Sequence, residues 1–374
     1  MPVRSLSLDG FRSYARLEIE FGDGPQVVVG RNAAGKTNLV ESLVLLSTGR
    51  SHRSSTDSEI VRWGSDFARA AAAVVDAGRR EEVEVVVHAR GASGGARKRV
   101  RVNGINRRAS ALSPVLRTVL FAPEDMLLIV GSPSLRRALL DGIVVQREPT
   151  AMAVMSTYQR SLTQRNSLLR RIREEQAGTD ELSYWTGLIV EHGARILDWR
   201  REALEAIAAP LAAAHREIAP DEPALTLRYV SNVQLADGES HEEALRRRLR
   251  ETADKEIWNG ATLVGPHRDD AAFVSGERPL TEFASRGQQR TAILALKLAE
   301  LDVLAALDHR PPLLLLDDVF SELDPQRRAH LVRRIGDLPQ AIVTTTTTDD
   351  LDPALVAAST VWRVEPGYVH PALE

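Results

Sequence analysis

The fold of this chain is decided near its C-terminus, by Leu313-Leu314-Leu315-Leu316-Asp317-Asp318-Val319-Phe320-Ser321-Glu322-Leu323-Asp324-Pro325. Four consecutive leucines behind Pro311-Pro312 predict a strand covered on both faces, as inside a parallel sheet. A buried strand that ends in two adjacent carboxylates is costly unless a cation or a reaction uses them. Open α/β sheets also place their ligands at this carboxyl edge. Asp317 is then placed to reach Mg²⁺ through water, and Asp318 to orient or deprotonate an attacking water. A plainer reading is a strand followed by a helix, with Asp324 as N-cap and Pro325 in the first turn. That cap accounts for the turn but leaves the Asp317-Asp318 pair unexplained.

Far upstream, Gln26-Val27-Val28-Val29 predicts a second short buried strand, and Gly30-Arg31-Asn32-Ala33-Ala34-Gly35-Lys36-Thr37 follows it directly. This is G-x-x-x-x-G-K-[ST] in the context the motif needs, a strand before it and an apolar-faced helix (Leu39, Val40, Leu43, Val44) after it. Successive backbone N–H groups and the helix N-terminus cradle phosphates. Lys36 brings a point charge to the β- and γ-phosphates, and the Thr37 hydroxyl is a ligand for Mg²⁺. The expected nucleotide contacts are Gly30, Arg31, Asn32, Ala33, Ala34, Gly35, Lys36, Thr37 and Asn38, with Thr37 and Asp317 on the metal.

Composition sets the bounds. With 374 residues, 43% hydrophobic and 26% charged, the chain is expected to be soluble and to form two domains. A net charge of -3 excludes a uniformly basic protein, so any nucleic-acid contact comes from local patches. Lysine occurs only at Lys36, Lys98, Lys255 and Lys297, and arginine makes up the rest of the basic residues. Arginine abundance by itself therefore says little about DNA. The absence of cysteine excludes disulfides, thiolate zinc sites and thiol catalysis. Neither a signal peptide nor an apolar run of about 18 residues is visible, which gives a cytoplasmic expectation without a membrane partner.

The remaining segments fall into order around these two motifs. Val3 to Leu8 and Leu17 to Phe21 alternate as two strands joined through Phe11-Arg12-Ser13-Tyr14. Arg50 and Arg53 lie in a polar loop behind the P-loop helix, reaching a phosphate or merely solvated. Lys98 to Arg108 predicts a hairpin with an Asn103-Gly104 turn. Its Arg99, Arg101, Arg107 and Arg108 suit either a phosphate-contacting edge or an edge strand protected against aggregation. From Leu135 to about Lys255 the spacing is helical, with runs over Met152 to Ile172, Leu182 to Ile207 and Glu242 to Leu249, interrupted around Pro210 to Pro223. Arg165, Arg170, Arg171 and Arg173 predict one basic face and Arg246, Arg247, Arg248 and Arg250 another, mostly solvated. His267, Asp269 and Asp270 read as a hydrogen-bonded turn rather than a metal site. Ser285-Arg286-Gly287-Gln288-Gln289-Arg290 opens a further helix. It is either an N-cap or a second phosphate site made of the Ser285 hydroxyl, the Gly287 N–H and a positive helix end.

A P-loop, a serine-glycine helix start and a carboxylate strand in this order resemble the ABC-type ATPases, and among them the SMC-like RecF family of DNA-repair proteins. The residues that carry the resemblance are Phe11 to Tyr14, Gly30 to Asn38, Phe121 to Asp125, Gly131 to Arg137, Gly265 to Asp270, Ser285 to Arg290 and Asp317 to Asp324. It implies an α/β fold: an ABC-type ATPase head with mixed β-sheet, 1–133 and 262–374, and an inserted, mostly α-helical arm, 134–261. It also implies an ATP-dependent homodimer in which Ser285, Gly287 and Gln288 of one copy meet the nucleotide of the other, with Lys36, Asp318 and Ser285 as the catalytic set. Slow, DNA-stimulated ATP hydrolysis would then act as a molecular switch. The family further implies binding of single-stranded, gapped and linear double-stranded DNA, recombinational repair with RecR and RecO, RecA loading and the SOS response. The other readings of the nucleotide motifs are the ATPase subunit of an ABC transporter and a metabolic P-loop kinase. Two departures stand out. Ala33 replaces a glycine frequent in ABC ATPases, acceptable where its φ is negative. No histidine occupies Thr344 to Thr348, so slower turnover is expected.

Overall fold

The computed structural model describes residues 1–54, 56–89 and 97–372. The chain opens with β1 (Val3–Phe11), β2 (Tyr14–Glu20), β3 (Gly24–Val29) and helix α1 (Lys36–Thr48). A meander follows, β4 (Phe67–Asp76), β5 (Arg79–His88), β6 (Arg97–Val102) and β7 (Ile105–Arg107), and then β8 (Thr118–Phe121). The middle of the chain holds α2 (Leu127–Val130), α3 (Pro133–Arg147), α4 (Ala151–Arg173), α5 (Leu182–Ile218), β9 (Leu225–Val230), α6 (His241–Glu251) and α7 (Ala253–Asn259). It closes with β10 (Asp270–Ser275), β11 (Arg278–Pro279) and α8 (Leu280–Phe283). Last come α9 (Arg286–Ala305), β12 (Leu313–Asp317), α10 (Pro325–Gly336), β13 (Gln340–Thr345), α11 (Pro353–Ala357), β14 (Thr360–Glu365) and β15 (Tyr368–Pro371).

These elements form two compact units, Met1–Met126 with Pro210–Glu222 and Ser285–Glu374, and Leu127–Ala209 with Pro223–Ala284. The first contains two sheets. One is antiparallel, in the order β2-β1-β4-β5-β6-β7; the other is β15-β14-β3-β13-β12-β8. Every pairing in the second is parallel except the edge pair β14–β15. β12 lies between β13 and β8, and all five of its residues are buried, as the leucine run requires. Helix α1 is buried nearly all round, because Leu39, Leu43 and Leu46 share one core with Leu6, Leu8 and Val85 of the antiparallel sheet and Leu315 and Ile342 of the parallel one. A helix clasped on both sides has no need of a polar face, which explains its near-continuous apolar run.

The second unit is mostly helical but not wholly so. β10 pairs with β9 over Asp270 to Ser275 and with β11, so residues 262–284, assigned to the head from the sequence, lie with the arm. Conversely, Pro210–Glu222 groups with the first unit. The break expected at Pro210 does not occur; α5 continues to Ile218. A proline in a helix removes one N–H and crowds the preceding turn, but Leu211, Ala214 and Ile218 beyond it are buried and hold the helix on course.

Candidate nucleotide site

Register brings the motif residues to one edge. Asp317 is paired with Thr344, Thr345 with Val29, and Leu316 with Phe121, so the carboxyl ends of β3, β13, β12 and β8 finish level. From the end of β3, residues 30–35 turn into α1, whose N-cap is Gly35 with φ 121°. A side chain at Gly35 would run into the Tyr14 hydroxyl, 2.8 Å from an ideal Cβ, and one at Gly30 into the Val364 carbonyl at 2.6 Å. No side chain caps α1. Its first N–H groups therefore present an anion site of the usual helix-terminus kind. Ala33 sits at φ 65°, in the left-handed region, contrary to the negative φ on which its acceptability rested. The loop imposes that geometry, and the methyl group stores roughly 1–2 kcal/mol of strain there.

Lys36 is only 4% exposed. Its Nζ donates to the Gly30 carbonyl at 2.8 Å and lies 3.5 Å from Asp318 Oδ2. Asp317, likewise 4% exposed, accepts from the Thr344 hydroxyl at 2.7 Å. The Asp318 N–H donates to the same hydroxyl at 3.0 Å, with Asp318 itself at φ 55°. The Thr344 hydroxyl thus holds the Asp317 carboxylate and the Asp318 backbone together. Asp125 is occupied elsewhere: it accepts from the Ala122 N–H at 2.8 Å and pairs with buried Lys297 at 3.0 Å, while Glu124 is exposed.

A buried network that sequence reasoning missed braces the phosphate loop. Glu41 of α1 is inaccessible to solvent and accepts from two of the Arg12 guanidinium nitrogens, at 2.6 and 2.9 Å, and from the Ser51 hydroxyl at 2.5 Å. Burial opposes its ionisation, but hydrogen bonds from Arg12 and Ser51 and the Arg12 and Arg53 charges prevail and hold its pKa below the ordinary carboxylate value. The Tyr14 hydroxyl donates to the Gly35 carbonyl at 3.1 Å, and Asn38 donates to Ser13 at 2.9 Å. Arg53 reaches Asn38 at 3.1 Å and Glu41 at 3.5 Å, beside the exposed Arg50. Ser55, in the same loop, lies outside the described residues.

At the start of α9, Ser285 forms a full capping box: its hydroxyl accepts from the Gln288 N–H, and Gln288 Oε1 accepts from the Ser285 N–H. The Ser285 oxygen is then an acceptor toward its own helix, and its O–H remains available to donate elsewhere. Arg290 pairs with Glu322 at 2.6 Å, and Arg327 donates to Thr291 at 2.8 Å. Among the described residues, no hydrogen bond or ion pair joins Ser285, Gly287, Gln288 or Arg290 with the P-loop of the same chain.

Of the arginines considered for DNA, Arg50 and Arg53 lie in the loop after α1, and those of the β6–β7 hairpin fall on two faces of one sheet. Arg97, Arg99 and Arg101 alternate along β6 with Lys98, Val100 and Val102; Val100 is core, so the arginines point outward. Arg101 pairs with Glu84. Arg107 is the register partner of Val100 and faces the other way, with Lys98, whose ammonium holds the Gly49 carbonyl and Asp57. Arg108 follows at the end of β7, exposed. In the second unit, Arg165 is not on a basic face: it is buried, bound to Glu256 at 2.7 Å and to Thr262 at 2.8 Å. Arg246, Arg247 and Arg248 pair with neighbouring glutamates. His267, Asp269 and Asp270 form hydrogen bonds with Tyr158, Tyr229 and Arg136, and no cluster suited to a metal occurs among the described residues.

Comparison with known proteins agrees with this geometry. The RecF/RecN/SMC N terminal domain family matches residues 2–367. The DNA replication and repair protein RecF of Heliobacterium modesticaldum is 38% identical over 372 residues, covering 99% of each chain. The chain belongs to the RecF family. RecF of Bacillus subtilis is 37% identical over 98% of this chain and 99% of its own. A solved structure of the recombination mediator protein RecF-ATPrS of the RecFOR pathway superposes with a TM-score of 0.89 at 30% identity, covering 100% of this chain and 98% of that one. An Smc head domain with an extended coiled coil, derived from Pyrococcus furiosus, shares the fold alone, with a TM-score of 0.51 at 16% identity, covering 99% of this chain and 95% of that one. The ABC-type head expected from the motifs is the fold observed, and end-to-end similarity to RecF proteins sets aside the transporter and kinase readings. Among the described residues, no helix is long and apolar enough to cross a membrane.

Proposed function

We propose that this RecF-family chain is an ATP-driven clamp on DNA in recombinational repair, closing as a homodimer around two nucleotides. The observation that carries this reading is the contact between Lys36 and Asp318, which joins an uncapped helix start to the carboxylate strand on one sheet edge. Gly30 to Asn38 suit a triphosphate: a side chain at Gly30 or Gly35 would crowd the loop, and the α1 N–H groups face the site. Thr37 and Asp317 are a hydroxyl and a carboxylate of the kind that hold Mg²⁺, which when bound would neutralise phosphate charge.

The Lys36 ammonium pairs with the Asp318 carboxylate. A triphosphate competes for that ammonium, and the Asp318 carboxylate is then released to orient an attacking water. Ser285, Gly287 and Gln288 of the second copy complete the γ-phosphate shell, so that hydrolysis removes the bridge and the copies part. A solved RecF relative is named for the RecFOR pathway, which supports RecO and RecR as partners; RecA loading is the outcome that the family resemblance implies. Arg50, Arg53, Arg107 and Arg108 are assigned to duplex phosphates, Arg99 and Arg101 to a separate face.

Light scattering during ATP titration tests the clamp. Wild type should dimerise, more so with gapped DNA, while Lys36→Ala and Ser285→Arg stay monomeric. A Ser285→Arg chain that dimerises like wild type overturns it.

A further inference from the structure

The outward face of the antiparallel sheet carries a row of side chains that the nucleotide chemistry leaves unused. Phe67, His88 and Arg97 are register partners on the adjacent strands β4, β5 and β6. The rings of Phe67 and His88 lie 6.1 Å apart. Arg99 stands in the next row of the same face, opposite Val86. Just before β4 the turn from Arg62 to Ser65 is pinned by two hydrogen bonds, Ser65 N–H to the Arg62 carbonyl and Arg62 N–H to the Gly10 carbonyl. That turn holds Trp63 98% exposed, and Phe67 is 41% exposed.

Rings held in water beside bare cations need a ligand that offers both a flat apolar face and negative charge. Arg69 and Arg101 on this face are neutralised by Asp9 and Glu84. Among the described residues, the guanidiniums of Arg62, Arg97 and Arg99 have no carboxylate partner; Asp66, also exposed, is the acidic neighbour in the turn. A purely apolar protein surface would cover the rings and leave these charges stranded. Unpaired bases satisfy both demands, because each base has a π-face and each linkage a phosphate. A duplex offers the phosphates alone.

We propose that this face is a stacking platform for single-stranded DNA, with Trp63 and Phe67 taking bases and Arg97 and Arg99 the adjoining phosphates. It rests on the reading of the chain as a DNA-binding protein and adds to it the surface, apart from the nucleotide edge, that takes the unpaired strand.

Fluorescence anisotropy, with an ATP analogue present, compares three probes: oligothymidylate of about 20 nucleotides, an abasic strand of the same length, and a duplex. Wild type should prefer oligothymidylate to the abasic strand. Trp63→Ala and Phe67→Ala should each lower oligothymidylate affinity roughly 5- to 100-fold and leave the other two probes within about twofold. Arg97→Ala with Arg99→Ala should weaken single-strand binding with or without bases and flatten its salt dependence. Equal oligothymidylate binding by wild type and Trp63→Ala overturns the platform. Loss of ATP-driven dimerisation in Trp63→Ala does so too, since the face would then join two copies. If wild type binds none of the probes, the DNA-binding reading fails, and the platform with it.

Discussion

Lys36 Nζ stands 3.5 Å from Asp318 Oδ2, so the proposed phosphate-binding cation and the proposed water-orienting carboxylate form an ion pair. Asp318→Asn removes the charge that Lys36 must abandon. The variant should bind ATP at least as tightly as wild type, and turnover should fall about 10²–10⁴-fold through loss of the base. Equilibrium nucleotide binding together with phosphate release checks both halves. Lys36→Ala should lose binding itself.

Ala33 in the left-handed region makes a prediction about stability. Ala33→Gly removes steric strain but gives the unfolded chain more freedom, a cost of about 0.5–1 kcal/mol. The net change should lie between zero and roughly 1.5 kcal/mol of added stability. The buried neighbour Ala34, whose φ is not positive, should lose about 0.5–1 kcal/mol when changed to glycine. Urea unfolding of the two variants should give opposite signs, or a null against a loss.

The capping role of Ser285 can be separated from its phosphate role. Aspartate is as good an N-cap as serine, so Ser285→Asp should keep the stability of wild type. Its negative charge would face the γ-phosphate of the partner's nucleotide, and ATP-dependent dimerisation should be lost. Ser285→Ala should instead cost about 1 kcal/mol in stability and only weaken the dimer. Thermal unfolding and light scattering on the same samples distinguish them.

His267 gives a pH dependence to the second unit. Its Nε2–H donates to the Thr262 carbonyl and its Nδ1 accepts from the Tyr158 hydroxyl. Burial, with the Arg268, Arg137 and Arg165 charges adding to it, pushes its pKa down to about 4 from 6.5. The unfolded chain therefore takes up the proton first. The stability contributed by the neutral ring is complete above pH 6.5 and is lost as the pH falls toward 4, at most about 3 kcal/mol. His267→Gln should flatten the unfolding free energy across that window.

The nucleotide edge was legible because the motif residues report their own surroundings. Four leucines need apolar cover on both faces, Gly35 needs a backbone that alanine resists, and Asp324-Pro325 makes a helix start, where Asp324 does accept from the Arg327 N–H. What escaped depends on partners distant in sequence. Glu41 and Arg165 look like surface charges until Arg12 and Glu256 are brought to them. The φ of Ala33 is dictated by the loop around it and leaves no mark on the residue. The arginines of β6 and β7 were grouped by proximity in the chain, whereas alternation along a strand and antiparallel pairing send Arg99 and Arg107 to opposite faces.

Helix α1, enclosed by both sheets, has a mechanical consequence. An axle fixed in its housing cannot tilt when a load arrives at one end. Under the proposed clamp, the arrival or departure of a phosphate would be felt by whatever rests on the rim, Lys36 and the loop beside it, and the head would report its fuel state to a neighbouring copy without deforming its own centre.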